Sequence, residues 1–358
     1  MEALPSSLLL RKTIYDIASE ARVGIGTVSR VFNNHPRVAK ETRRRVLEIA
    51  TRLNYSPHPH ARRLAKQKSF TVVAVVPSFS SYFFMEILQA LHDGLRHYEY
   101  DLLLSGLDHP HHTNLSLTRV LDEQRADGAL VLSFPIKQSL RVILESSNIP
   151  LVLVDTYDAA FSSVTGDNVQ GAYLATRHLA ALGHQRIGMI AANTNSFPAR
   201  DRLKGFKKAL AERDIDLRPE WIKISRSHTM DGFTYETGYQ LMHAFMAMNH
   251  RERPTAYFVS SDVQAVGALR AVEEAGLKCP EDVALFGYDD IVLAEHYGLS
   301  TIRQQIRDMG KSAVELLMAK VTEGDAKVVH KRYAPQLVVR RSCGSTLKHH
   351  TVIDGSSL

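Results

Sequence analysis

The hydrophobic rhythm of the chain changes near Phe70. Before that point apolar residues recur at helical spacing in three short runs: Ile14, Ile17, Ala18 and Ala21, then Val28, Val31 and Phe32, then Val46, Ile49, Ala50 and Leu53. Thr13 with Asp16 has the pattern of a capping box at the start of the first run, with Asp in place of the usual Glu. Arg22-Val23-Gly24 separates the first run from the second, and Asn33-Asn34 with Pro36 separates the second from the third. Three short helices with a tight, Gly-containing first turn predict a helix-turn-helix unit. Such a unit lays its second helix in the DNA major groove.

After Phe70, continuous apolar runs alternate with amphipathic stretches. "FTVVAVVP" precedes a predicted helix near 82–98, "YDLLLSG" one near 113–125, "GALVL" one near 137–147 and "IPLVLVD" one near 168–182. "RIGMIAA" precedes a helix near 199–213, "WIKI" one near 233–248, "TAYFVS" one near 261–275, and "DVALFGYD" one near 305–322. Apolar strands each followed by a helix imply parallel sheets covered on both faces. About nine such strands suit two doubly wound lobes. A closed barrel is the structural alternative, but it leaves the first segment unexplained.

Charge sharpens the division. Residues 1–68 hold 14 Lys/Arg against 5 Asp/Glu, a net of +9, and the remainder holds 30 against 33, a net of −3. A basic head on a slightly acidic body is the footprint of a polyanion binder with a second task. With 44% hydrophobic and 23% charged residues, wholesale disorder is excluded. Cys279 and Cys343 stand far apart, which gives neither a disulfide framework nor metal-ligand spacing and suits a reducing compartment. The start "MEALPSSLLLRK" lacks the apolar core of a signal peptide, and no run is long enough to span a membrane. A cytoplasmic protein with no membrane partner is expected.

Two rival motifs fall away. Gly24-Ile25-Gly26-Thr27-Val28-Ser29 imitates a dinucleotide fingerprint, but Ser29 replaces its last glycine and a helix, not a strand, precedes it. His109-Pro-His-His112 has no carboxylate or Cys at ligand spacing and reads as a solvated loop. No catalytic set emerges, so no enzyme, cofactor or metal is expected.

"TIYDIASEARVGIGTVSRVFNN" followed by "VAKETRRRVLEIATRLNYSPHPHARRLA" resembles the lactose-repressor (LacI/GalR) family of bacterial transcription regulators. The match is specific from Thr13 to Leu64 and continues more loosely to about Arg341. It implies that Ile25 and Gly26 occupy operator-variable positions of the recognition helix, with Gly26 silent for want of a side chain. Thr27, Ser29 and Arg30 fall on DNA-contacting positions, and Thr13 and Asn33 complete the candidate set. Arg30 is the expected base reader, since a guanidinium can contact guanine in two places; Thr27 and Ser29 position phosphates. Gly24 and Ala39 stand where capping hydroxyl residues are usual, at a cost of at most about 1 kcal/mol each. The segment "YSPHPHARRLA" is implied to be a hinge that becomes helical when two copies meet in the minor groove. Pro59 suits its first turn, although His58 stands where a capping Asn or Ser is usual. Arg62 and Arg63 approach phosphates, and Leu64 is the wedge that unstacks a base step.

For the body, the resemblance implies two lobes like those of periplasmic sugar-binding proteins, with crossings near Asp167, Gln304 and Leu337. The implied effector residues are Tyr82, Phe83, Arg202, Phe233, Asp262 and Asp289, with Asp155 and Asp167 also near the cleft. Arg and Asp hydrogen-bond hydroxyls while flat aromatics stack on a sugar ring, so the effector is expected to be a sugar or sugar derivative. Each residue has a plainer reading: Asp289 as a helix cap, Arg202 as a surface partner of Asp201, Phe233 as core.

The expected organisation is an N-terminal extension over 1–11, the helix-turn-helix domain over 12–56 and the hinge over 57–68. A two-lobed effector-binding and dimerisation domain covers 69–341, and a polar tail 342–358 lacks the heptads that a coiled coil needs. The expected function is a homodimeric repressor of carbohydrate-related genes, bound to a pseudo-palindromic operator and so located at the nucleoid. The alternative is a soluble sugar-binding protein or sugar-acting enzyme whose basic head is incidental.

Overall fold

The computed structural model describes residues 12–32, 35–55, 68–77, 81–106, 113–121, 125–227, 229–324, 327–345 and 351–353. The expected extension over 1–11 and nearly all of the hinge lie outside these residues. The chain divides between Ser69 and Phe70 into two units.

The first unit holds α1 (Ile14–Glu20), α2 (Ile25–Phe32) and α3 (Lys40–Arg52). The apolar stripes read from the sequence meet in one core of Ile17, Ala18, Ala21, Val28, Val31, Val46, Ile49 and Ala50. Both the amide and the hydroxyl of Thr13 donate to the Asp16 carboxylate, at 2.7 and 2.9 Å, which ties off the start of α1. The Thr13 amide bond foremost holds Asp16 below the usual carboxylate range. At the start of α2 the Gly24 carbonyl accepts from the Thr27 and Val28 amides. The far end of α2 is closed from α3: Arg43 donates to the Val31 carbonyl at 3.2 Å and the His35 carbonyl at 2.8 Å. Arg43 is therefore a strut between helices. Arg44 pairs with Glu41 and Glu48, and Arg52 with Glu20; such exposed, solvent-screened pairs contribute little to stability.

The second unit opens with β1 (Thr71–Val76), α4 (Tyr82–Arg96), β2 (Asp101–Gly106), α5 (Thr113–Val120), β3 (Gly128–Leu132), α6 (Gln138–Glu145), β4 (Leu151–Val154) and β5 (Ser163–Gly166). It continues through α7 (Asn168–Ala181), β6 (Ile187–Ala191), α8 (Phe197–Ala211), β7 (Ile222–Ile224), α9 (Tyr235–Met246), β8 (Ala256–Val259), α10 (Asp262–Glu274) and β9 (Ala284–Phe286). Then come α11 (Val292–Tyr297), β10 (Thr301–Arg303), α12 (Ile306–Glu323), β11 (His330–Tyr333), β12 (Gln336–Val339) and β13 (Thr351–Ile353).

Two parallel sheets form the two lobes. The first has the order β2-β1-β3-β4-β5-β11, the second β7-β6-β8-β9, and β10, β12 and β13 form a small antiparallel sheet. β1, β3, β4, β6, β8 and β9 are buried on both faces, as continuous apolar strands require. Each parallel sheet is sandwiched. In the first lobe Ile87, Leu91, Met309, Ala313 and Leu317 cover one face and Leu117, Leu140 and Leu144 the other. In the second, Leu174, Phe206 and Leu210 lie opposite Met242, Phe245, Leu269 and Val272. The chain crosses between lobes after Gly166, after Arg303, and between Tyr333 and Gln336. The last crossing is slightly earlier than the expected Leu337.

Helices α9 and α10 cross so closely that side chains are excluded at the contact. A Cβ on Gly238 would lie 2.0 Å from the Gln264 carbonyl oxygen, and one on Gly267 would lie 2.0 Å from that of Tyr235. Gly267→Ala is therefore expected to cost about 1–3 kcal/mol through overpacking, read as a lower urea midpoint at unchanged slope.

The polar tail needs correction. Ser342 and Cys343 are buried. The Ser342 hydroxyl accepts from the Ser300 amide and donates to the Leu285 carbonyl, both at 2.8 Å, while Thr351–Ile353 pairs with β12. The body extends past Arg341 because this short turn closes the ends of β9 and β10, a role that polarity alone conceals.

Candidate DNA-reading face and effector cavity

In the head, Val28 and Val31 turn into the core, and this rotation leaves the opposite side of α2 to solvent. Ile25 is 41% exposed. Gly26 and Arg30 are exposed, and Thr27 and Ser29 are half-buried. Residues 25, 26, 29 and 30 share one helical face, one turn apart. Arg30 has no side-chain partner among the described residues, unlike Arg43, Arg44 and Arg52. Thr13 is exposed at the start of α1, but its hydroxyl is engaged with Asp16. Tyr15, 66% exposed on the same helix, is an aromatic that the hydrophobic pattern did not single out. Asn33, Arg62, Arg63 and Leu64 lie outside the described residues, as does the stretch His109–His112. A Cβ on Gly26 would meet nothing within 4 Å. Gly26→Ser should therefore leave the melting temperature unchanged or slightly higher. It should change which DNA sequences are selected from a random pool.

In the body, a cavity partly open to solvent lies at the carboxyl ends of the parallel strands of both lobes. Phe83 and Phe84 reach it from α4, Ser133 follows β3, Asp155 follows β4, and Ser196, Pro198 and Arg202 come from the start of α8. Asp231 and Phe233 lie just before α9, Ser261 and Val263 follow β8, and Asp289 and Ile291 follow β9.

Arg202 organises the second lobe's side. Its Nε donates to Asn168 Oδ1 at 2.9 Å, one terminal nitrogen donates to the Ser260 carbonyl, and the other lies 3.5 Å from Asp289 Oδ1. The guanidinium carbon sits 3.7 Å from the centre of the Tyr288 ring and 5.4 Å from that of Phe233. The plainer pairing with Asp201 does not occur. Asp289 also accepts from the Gln304 amide at 2.8 Å. Burial pushes Asp289 up to about 6, against the pull of Arg202 and Gln304. Its backbone has φ 113° and that of Asp290 φ 60°. Such conformations cost about 1–3 kcal/mol and persist where the surroundings hold them. Asp290 supplies that hold, accepting from Arg303 at 2.6 Å and Arg340 at 2.8 Å.

Asp155 faces the cavity from the first lobe. The Ser133 hydroxyl donates to its Oδ2 at 2.7 Å. Its Oδ1 is buried with no hydrogen-bond partner. Burial pushes this carboxyl up to about 7, with Arg202 and Ser133 opposing.

The cavity thus gathers Phe83, Asp155, Arg202, Phe233 and Asp289, and three expected residues lie elsewhere. Asp262 is fully buried, accepting from the Thr301 hydroxyl at 2.7 Å and the Ile291 amide at 3.1 Å. It turns toward the loop after β9, braces that loop, and leaves Ser261 and Val263 to face the cavity. Burial, and then the nearby Asp289 charge, push it well above the usual carboxylate range. Asp167 is the N-cap of α7, accepting from the Gln170 amide at 3.0 Å at the first crossing. Tyr82 is 38% exposed, one residue out of phase with the inward Phe83. Reading the sequence missed Phe84, Ser133, Ser196, Asp231, Ser261, Val263 and Ile291 as lining residues. Ser133 and Ser261 had a usable signal, because each lies one or two positions beyond a strand's carboxyl end.

A helix-turn-helix head and a two-lobed body with a polar, aromatic-walled cavity define the class of effector-controlled DNA-binding regulators. Residues 13–58 match the family "Bacterial regulatory proteins, lacI family", and residues 176–343 match "Periplasmic binding protein-like domain". The HTH-type transcriptional repressor PurR of Haemophilus influenzae (strain PittEE) is 34% identical over 345 residues, covering 94% of this chain and 99% of that protein. The PurR repressor of Photobacterium profundum is 34% identical over 336 residues, covering 92% and 98%. Among solved structures, the Lac repressor dimer bound to operator and the anti-inducer ONPF has a TM-score of 0.82 at 27% identity, covering 93% of this chain and 99% of that one. The transcriptional regulator CelR in complex with cellobiose has a TM-score of 0.68 at 28% identity, covering 93% and 100%. The chain belongs to the LacI family of bacterial regulatory proteins. It is a DNA-binding transcriptional repressor with an effector-binding domain, and its relatives are repressors rather than enzymes. Among the described residues, no helix is long and apolar enough to cross a membrane.

Proposed function

We propose that the protein acts as a homodimer on a pseudo-palindromic operator and that a small carbohydrate, bound in the body cavity, sets its affinity for that operator. The observation that carries this reading is the convergence of Phe83, Asp155, Arg202, Phe233 and Asp289 on one cavity at the strand ends. Aromatic faces stack on a sugar ring, and carboxylates accept from its hydroxyls. The CelR structure with cellobiose, and a LacI-family regulator from Enterococcus faecium with bound ribose, support the sugar class.

In the head, Arg30 reads a base, Ile25 packs in the groove, and Thr27 and Ser29 position phosphates. Arg62, Arg63 and Leu64 belong to this reading as hinge contacts. The effector acts by binding one arrangement of the lobes better than another. A coupling of about 1–3 kcal/mol changes operator affinity about 5–150-fold.

The test is thermal stability of the whole chain against sugars, polyols, sugar phosphates and nucleobases. A ligand at about 100 times its Kd adds about 2.7 kcal/mol, a clear melting shift. Phe233→Ala should weaken that shift while leaving the unliganded melting temperature nearly unchanged, since Phe233 lines the cavity. A shift that survives Phe233→Ala, Asp155→Asn and Asp289→Asn alike contradicts the assignment of the site.

A further inference from the structure

The charges around the cavity do not balance, and this says what kind of molecule it takes. The lining sets two buried carboxyl groups, Asp155 and Asp289, against one cation, Arg202. That guanidinium is already held by Asn168, the Ser260 carbonyl and Asp289, with the Tyr288 ring against its face. Its charge is spent on a protein carboxylate. Asp155 lines the cavity and is 5% exposed, and its Oδ1 is buried without a hydrogen-bond partner. An unpartnered buried acceptor is costly unless a donor arrives to meet it. Apolar walls complete the description: Phe83, Phe84 and Phe233, with Pro77, Pro198 and Ile291.

We infer that the effector is an uncharged, ring-bearing solute that presents hydrogen-bond donors to Asp155 and Asp289, and that phosphorylated or carboxylated compounds are rejected. This rests on the reading of the cavity as an effector site and narrows its ligand class. A phosphate would bring one or two further negative charges beside Asp155 and Asp289, with one committed guanidinium to offset them. In a partly desolvated site such like-charge contacts weaken binding by at least about tenfold. A sugar ring and a nucleobase share the required chemistry, a flat or apolar face with N–H or O–H donors at its edge. The two are separated by experiment.

The experiment is equilibrium dialysis of the full chain at pH 7.5 against two solutions, with retained compounds identified by mass spectrometry. One is a defined mixture: glucose, ribose, fructose and cellobiose with the phosphates of the monosaccharides, and adenine, guanine and hypoxanthine with their nucleotides. The other is a bacterial small-molecule extract. Phe233→Ala marks which retention depends on the cavity.

The expected result is cavity-dependent retention of an uncharged compound, with its phosphorylated counterpart bound at least tenfold more weakly. Asp155→Asn should reduce retention of the uncharged compound at least tenfold. Retention of a sugar supports the carbohydrate reading, and retention of a base supports this inference while replacing the carbohydrate by a nucleobase. Cavity-dependent retention of a phosphate or carboxylate overturns the inference and leaves the effector cavity standing. No cavity-dependent retention from either solution overturns the cavity's assignment and the inference with it. If Phe233→Ala fails to fold, Asp155→Asn marks the cavity-dependent retention in its place.

Discussion

Arg202→Ala is expected to lower stability by about 3–5 kcal/mol and to abolish the response to any cavity ligand. Arg202 is 3% exposed and stands 3.5 Å from a carboxylate that is itself buried. A buried ion pair gives little net stability as a pair, because both charges were desolvated to make it. Removing one partner is another matter, since Asp289 is left buried and unpaired at the end of a strained loop. Asn168 and the Ser260 carbonyl also lose their partner. The double change Arg202→Ala with Asp289→Asn should therefore recover part of the loss, because a neutral amide needs no counter-charge. Urea unfolding of the three proteins measures this. An Arg202→Ala cost below about 1 kcal/mol, or no recovery in the double variant, contradicts the account of the pair.

The second large effect is on pH dependence. Burial raises Asp155 to about 7 and Asp289 to about 6 from an ordinary value of 3.8. A carboxyl raised in the folded state favours folding while protonated and loses that contribution as pH rises through its folded value. Between pH 5.5 and 8, Asp155 alone should withdraw about 2 kcal/mol. Buried histidines act in the opposite direction: burial lowers His178 and His184, which disfavours folding as they protonate. The clean quantity is thus the stability of Asp155→Asn minus that of the unchanged protein. It should grow by about 2 kcal/mol from pH 5.5 to pH 8 and then level off. A difference that stays flat across this range removes Asp155 as a strained, ligand-seeking carboxyl.

The sequence carried most of the framework because two kinds of periodicity are strong in it. The eight helices expected in the body begin and end within a few residues of the observed ones. Their start signals and apolar stripes are local and need no tertiary context. The crossing strands were harder. "SVTG" in β5 and "HKRY" in β11 have no apolar run, since they lie toward the sheet edge where the chain changes lobes. Short β10 owes its conformation to Asp289 and β12 rather than to its own residues.

The site shows the same division. Phe83, Asp155, Arg202, Phe233 and Asp289 were legible through the family resemblance and do share the cavity. Asp262 was misplaced, because the direction of a side chain at a helix start depends on which loop packs beside it. Asp290 was hidden for the opposite reason. It adjoins a cavity residue yet points to Arg303 and Arg340, joining the loop of Asp289 to β10 and the last strands of the chain.

The measurement that tests the account most directly is selection of DNA from a random pool by the full chain, followed by binding of the selected sequence at 50 to 200 mM salt. The account predicts an enriched pseudo-palindrome and affinity that falls by orders of magnitude across that range. It also predicts loss of sequence preference in Arg30→Ala and a 5–150-fold change when the retained cavity compound is added. No enriched sequence, or binding indifferent to salt, to Arg30 and to the compound, would contradict it.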